Sequence, residues 1–331
     1  MSSPSAEDST SALTTTIDKL QCLDVATSYI SLLQTVHELS EEARAHISAN
    51  DPKLALGPYG KLQELAKSLR ARDGAQDGVA VHLVAYVERS TEGLWNEMKG
   101  KLMGKFEAAL NKIGWPKEDA ALGEHRNEFI DAFEKLMVLQ TAELGKGEKQ
   151  LLPFEALVKP LAMRFRYHFA GERPTNRADK PEWFLAHLSG LVTAYEVFLT
   201  EQVQPVLSSV EGMETRDAVV EFITVLLPVL RRKTRGLLPH IVGDAPLLSH
   251  FIHEMIKFDE ELREYFYYAP YECQGAWNGM THEVLVVQNI FTGWLQVEKE
   301  CELPCVLYPG RNQKVGQRVC VTSSHDGKQG T

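Results

Sequence analysis

Phe165-Arg166-Tyr167-His168-Phe169 is the stretch on which the fold class turns. Taken alone, its aromatic residues have the composition of a β-strand fragment. It continues, however, an apolar run with helical spacing that starts at Leu157, and a connection from Gly171 to Asp179 follows it. The stretch is therefore read as the end of a helix. Pro181 then falls in the first turn of the next helix, where its missing N–H costs nothing, and Asp179 is a capping candidate nearby. With this segment helical, no sustained period-two alternation remains before about residue 300. The expected fold class is all-α, a series of antiparallel helices stacked as an elongated rod or bundle.

Outward from that point the same pattern recurs. Toward the carboxy terminus, helices are expected over Pro181 to Leu207, Thr215 to Leu237, Pro246 to Tyr268 and Gly279 to Glu300. Toward the amino terminus they are expected over Phe154 to Phe169, Glu124 to Leu144 and Val79 to Ile113, the last stopped by Gly114-Trp115-Pro116. Another, with Leu62, Leu65 and Leu69 at buried spacing, is expected to follow Pro58 and to end in the turn Asp73 to Gly78. The first helix, roughly 35 residues long, carries Leu13, Ile17, Leu20, Leu23, Ile30, Leu33 and Val36 at steps of three and four. Asp51-Pro52 ends it. So long a helix needs a partner surface, in the same chain or in another protein. The expected organisation is a disordered lead over residues 1–15, an amino-terminal helical or coiled-coil region over 16–115, a helical rod over 116–300 and an aberrant or disordered tail over 301–331.

Composition narrows the function. A net charge of -10 over 331 residues argues against nucleic acid as the main partner, because phosphate binding needs clustered Lys and Arg. The five cysteines are odd in number and skewed to the end of the chain, and no Asn-x-Ser/Thr sequon occurs; both fit a reducing, cytosolic environment. Met1 to Thr16 has neither the basic start and apolar run of a secretory signal nor the arginines of a transit peptide. The most apolar stretch, Val219 to Leu230, is interrupted by Glu221, Thr224 and Pro228 and is too short to span a bilayer. Membrane association is therefore expected to be peripheral, through partners or the surface.

The residues offer little catalytic chemistry. His250 and His253 lie three apart on one helix face beside Glu254, but without the His-Glu-x-x-His spacing of zinc peptidases. A hidden metal hydrolase is the enzyme alternative they leave. Cys301, Cys305, Cys320 and His325 match no strong zinc pattern. There is no glycine-rich phosphate loop and no nucleophile elbow. No catalytic residue, cofactor or metal is therefore expected. Arg231-Arg232-Lys233-Thr234-Arg235 reads as a solvated helix end, or else as a contact for acidic headgroups or an acidic partner. Tyr265-Phe266-Tyr267-Tyr268 and Tyr271 read as core plus a helix terminus, with any exposed remainder suited to an interface.

Arg164-Phe165-Arg166-Tyr167-His168-Phe169-Ala170-Gly171-Glu172-Arg173-Pro174-Thr175-Asn176, leading into Lys180-Pro181-Glu182-Trp183, resembles a signature of the RINT/TIP family. Arg164, Phe165, Tyr167, His168, Phe169, Gly171, Thr175, Asn176, Lys180, Pro181, Glu182 and Trp183 carry the likeness. Ile113-Gly114-Trp115-Pro116, Leu247 to His250, Phe258 to Arg263, Trp277 and Trp294 to Glu300 agree with further family segments, so the likeness spans about Leu102 to Glu300. The resemblance implies the helical-rod architecture of multisubunit tethering complexes. It also implies a non-enzymatic role in capturing retrograde Golgi-derived (COPI) vesicles on the cytoplasmic face of the endoplasmic reticulum. The implied partners are a second tether subunit of the Dsl/ZW10 type and endoplasmic-reticulum SNARE proteins. The partner subunit's contact, carried over, falls on Ile17, Leu20, Leu23, Ile30, Leu33 and Val36, which form an apolar stripe by their own spacing. An unrelated all-helical cytosolic adaptor is the alternative.

After Glu300 the resemblance stops. Two prolines, three cysteines and several glycines follow and helical periodicity is lost, which reads as a mis-joined or unspliced coding segment, or a truncation.

Overall fold

The computed structural model describes residues 6–75, 81–142, 150–270, 277–287, 290–296 and 299. Among these residues every regular element is helical, so the fold is all-α. The chain divides into two compact units: Met1–Ala109 with Asn127–Glu148, and Leu110–Arg126 with Lys149–Thr331. Cys273, Tyr271, the Gly145-Lys146-Gly147 connection, Asp77 and Gly78 of the first turn, and the whole tail with Cys301, Cys305, Cys320 and His325 lie outside the described residues.

The first unit is built from α1 (Ala6–Ser48), α2 (Pro52–Ala75), α3 (Val81–Lys112) and α4 (Arg126–Gln140). α1 starts ten residues earlier than the lead read from the sequence allows, because Ala6 to Thr15 continue the same helix. It ends at Ser48; Asn50, with a φ of 65°, then turns the chain, and the Asp51 carboxylate accepts from Leu54 N at 3.1 Å. That cap, with Pro52 in the first turn, starts α2 before Pro58 rather than after it. Pro58 sits inside α2 and removes one ladder bond, while burial of Ala55, Tyr59 and Leu62 around it holds the helix together. α1 and α2 form a helical hairpin of unequal arms, about 65 Å against about 36 Å at about 1.5 Å per residue. Tyr59 stacks on Trp95 at 5.6 Å, and Phe106 meets Phe129 and Phe133 at 5.2 and 5.9 Å, which joins α2, α3 and α4 into one core. Arg44 bridges α1 to α3 through Glu97 at 2.8 Å.

The second unit contains α5 (Leu152–Phe169), α6 (Pro181–Phe198), a π-helical turn (Leu199–Val203), α7 (Gln204–Ser209), α8 (Ala218–Ile241), α9 (Ala245–Glu264) and α10 (Gly279–His282). α5 lies against α8, and α6 lies against α9. Asp217 and Asp244 cap α8 and α9 by accepting from Val219 N (2.8 Å) and Leu247 N (3.1 Å). The Gly114-Trp115-Pro116 break, which on the sequence only ends a helix, is a fastening point in this unit. Trp115 is buried, donates from Nε1 to Leu157 O at 3.0 Å, and lies 4.6 Å from the Tyr195 ring, while the Tyr195 hydroxyl donates to Pro116 O at 2.7 Å.

α8 runs to Ile241 rather than stopping near Leu237, so the basic run is mid-helix and not a helix end. Successive residues point about 100° apart, and each meets a different environment. Arg231 pairs with both oxygens of Glu283 at 2.6 and 2.7 Å, Thr234 is 1% exposed, and Arg232 and Arg235 face solvent. α9 stops at Glu264, so the tyrosine cluster follows it: Phe266 and Tyr268 are buried, and Tyr265 and Tyr267 are exposed.

Candidate functional site

The signature stretch forms the corner between α5 and α6, and most of its side chains are spent on building that corner. Phe165 and Phe169 occupy successive turns on the buried face of α5, 5.0 Å apart, with Phe184 of α6 at 6.3 Å from Phe169. Gly171 has a φ of 64°, a left-handed conformation that lets the chain leave α5 without a Cβ clash. Thr175 Oγ1 donates to His168 O, and Asn176 Nδ2 donates to Gly171 O at 2.6 Å, so the connection folds back on the helix end. Arg173 lies over the Tyr167 ring at 4.3 Å, and Arg177 pairs with Asp179 at 2.5 Å. Arg164 lies beside Tyr195, where its charge opposes the upward pull of burial on the phenol. Lys180 precedes Pro181, the buried first residue of α6, and its ammonium lies 3.3 Å from Glu182. Glu182 also reaches His250 on α9 at 3.2 Å. Trp183 and Tyr167 are the exposed aromatics of the stretch, at 42% and 59%.

Beside this corner, α5 and α8 line a cleft of about 580 Å³. Its floor is apolar, with Phe165, Phe169, Val225 and Leu237 buried. Its rim carries Arg166, Arg232 and Lys233. Among the described residues none of these three is paired with a carboxylate; Glu155 and Lys159 also line the cleft, and each has a partner of its own. Lys233 is held by two neutral acceptors, Phe169 O at 3.0 Å and Asn176 Oδ1, and its stem passes over the Phe184 ring at 5.3 Å. Burial pushes the Lys233 ammonium below its usual range.

α1 presents the other candidate surface. Ile17, Leu20, Leu23 and Ile30 of the sequence-read stripe are exposed, at 51 to 62%. Leu33 is half-buried and Val36 is only 1% exposed, in the chain's own core. The seam that the chain itself buries shares only Val36 with that stripe. Cys22, Val25, Tyr29, Leu32, Val36, Leu39 and Ala43 alternate steps of three and four, the heptad spacing of a coiled-coil core. Val36 and Ala43 are buried within the unit, Leu32 and Leu39 are half-buried, and Tyr29, Val25 and Cys22 are exposed. The seam runs on past the end of its cover. Periodicity missed it because the amino-terminal half of α1 is apolar on more than one face. The signal that would have found it is the unbroken heptad through Tyr29.

The two histidines of the metal alternative do not converge. His250 Nε2 faces Glu182, while His253 Nδ1 lies 2.8 Å from Ser249 O on its own helix. Among the described residues no three His, Cys, Asp or Glu side chains are grouped to hold a metal ion, and no helix is long and apolar enough to cross a membrane.

Residues 152–304 match the RINT-1/TIP-1 family. The chain is 25% identical over 301 residues to a Drosophila melanogaster protein named "RINT1-like protein", covering 86% of this chain and 40% of that one. It is also 25% identical over 184 residues to "Protein transport protein tip20" of Schizosaccharomyces pombe, covering 55% of this chain and 24% of that one. The chain thus spans less than half the length of either relative. No solved structure matches it.

Proposed function

We propose, from the match of residues 152–304 to the RINT-1/TIP-1 family, that this chain is a non-enzymatic subunit of a vesicle-tethering complex. Its membrane is the endoplasmic reticulum, on the cytoplasmic face, and its traffic is retrograde vesicles from the Golgi. It bridges a second tether subunit of the Dsl/ZW10 type and endoplasmic-reticulum SNARE proteins, and it reaches the membrane through them. The transport name of the fission-yeast relative supports the process. The observation that carries the reading is α1. A helix of 43 residues exposes Val25 and Tyr29 on the same face that Val36 and Ala43 bury lower down. Such a half-covered heptad is suited to a helix from another protein that takes over where α2 ends.

The test is co-purification of the full chain with a recombinant Dsl/ZW10-type subunit. Paired Val25→Asp and Tyr29→Asp changes are expected to abolish recovery, with circular dichroism unchanged. Leu20→Asp with Leu23→Asp reports separately on the second apolar face. Undiminished recovery with both double variants would overturn the reading.

A further inference from the structure

The cleft between α5 and α8 is unused by helix pairing through α1, which belongs to the other unit. Its chemistry is of two kinds at once. The floor of Phe165, Phe169 and Leu237 favours a large apolar side chain. The rim of Arg166, Arg232 and Lys233 favours negative charge; Glu155 also lines the cleft, but none of the three cations is paired with a carboxylate among the described residues. Lys233 is oriented in advance. Two of its three N–H donors are engaged by Phe169 O and Asn176 Oδ1, which leaves one for a ligand. Those neutral acceptors leave its charge uncompensated, so a bound carboxylate would offset the burial that the ammonium already endures.

Gly236 offers a way to close the cleft. It lies in the interior of α8, where glycine is less favourable than any residue but proline, and it lines the cleft. A Cβ built there meets nothing within 4 Å. The same holds for the helical Gly57, Gly60, Gly93, Gly100, Gly104 and Gly190, so the open space makes Gly236 a position at which the cleft can be filled by substitution and is not itself a mark of a ligand.

We propose that this cleft docks an acidic segment of a partner protein, its apolar side chain on Phe165 and Leu237 and its carboxylates on Arg166, Arg232 and Lys233. An extended peptide uses floor and rim together. An anionic lipid headgroup would use the rim and leave the apolar floor without a partner.

The test uses the full chain and a dye-labelled synthetic peptide of aspartates and glutamates around one central leucine, read by fluorescence anisotropy. Saturable binding is expected, weakened roughly tenfold or more by Arg166→Glu with Arg232→Glu, both on exposed side chains. Gly236→Leu, which fills the cleft and improves helix propensity, is expected to abolish binding while leaving the thermal midpoint unchanged or raised. Replacing the peptide's leucine with aspartate is expected to remove most of the affinity. Binding that survives Gly236→Leu, or that ignores the leucine, would reduce the site to general surface charge and overturn the proposal. So would vesicles of phosphatidylserine and phosphatidylcholine that bind with the same dependence on Gly236 while the peptide does not. Loss of tether-subunit recovery by α1 variants leaves this outcome untouched, so the two readings fail separately.

Discussion

The ammonium of Lys233, midway along α8, donates to the main-chain carbonyl of Phe169, the last residue of α5, at 3.0 Å. A helix end leaves its final carbonyls without intrahelical donors, and here a side chain from a neighbouring helix supplies one. The same ammonium reaches Asn176, so one lysine ties the end of α5, the following connection and α8 together. Lys233→Met keeps the apolar stem over Phe184 and deletes only the polar contacts. It is expected to lower the unfolding free energy by about 1.5–3 kcal/mol, the usual range for a hydrogen bond to a charged group. Urea denaturation measures this; an unchanged midpoint would make the contact incidental.

Position along α1 should separate folding from binding on one helical face. Tyr29→Asp and Val25→Asp fall on exposed residues and are expected to shift stability by no more than about 0.5 kcal/mol. Val36→Asp, eleven residues beyond Val25 on the same face, puts a carboxylate where 1% of the side chain is exposed. It is expected to cost more than about 3 kcal/mol. Thermal melts of the three variants would show the gradient, and equal losses at all three would contradict it.

Trp115→Phe keeps an aromatic ring against Tyr195 and Phe198 but removes the donor to Leu157 O. The carbonyl of Leu157 keeps its helical partner, so the expected loss is about 1–2 kcal/mol. Trp115→Ala also empties the site and is expected to cost about 3–5 kcal/mol. Chemical denaturation followed by circular dichroism distinguishes the two, and a loss for alanine no larger than for phenylalanine would mean the ring is not packed as described.

Glu97 should give the first unit a modest acid sensitivity. Hydrogen bonds from Arg44 and then Lys101 hold its carboxyl below the ordinary 4.5. A carboxyl depressed in the folded state stabilises the fold above its unfolded pKa and loses that contribution as pH falls through the folded value. Stability is therefore expected to decline as pH drops below about 4.5, by at most about 1 kcal/mol because the pair is partly exposed. Glu97→Gln is expected to remove this component, and melts of both proteins between neutral and acidic pH would detect it. An identical acid profile in the variant would assign the sensitivity elsewhere.

Much of the corner around α5 was legible because local rules agree there. The helical spacing from Leu157, the turn around Gly171 and the first-turn Pro181 all pointed one way, and residues 152–304 carry the family match. The same stretch was less legible as a site. Phe165, Phe169, Thr175 and Asn176 form a recognisable pattern in the sequence, yet in the fold they build a corner and one wall of a cleft. The cleft itself needed α8, more than fifty residues away, to bring Arg232, Lys233 and Gly236 opposite them.

By itself the sequence determined the helical class, most of the stops and the likeness to the RINT-1/TIP-1 family, because each depends on residues close together in the chain: apolar spacing, proline and glycine, an uninterrupted motif. Tertiary structure alone decided which face of α1 is covered, and that the basic run of α8 divides among Glu283, Phe169 and solvent. A helix apolar on several sides can pack by any of them. Which side loses its water is settled by where the neighbouring helices end, and no local pattern in α1 encodes that length.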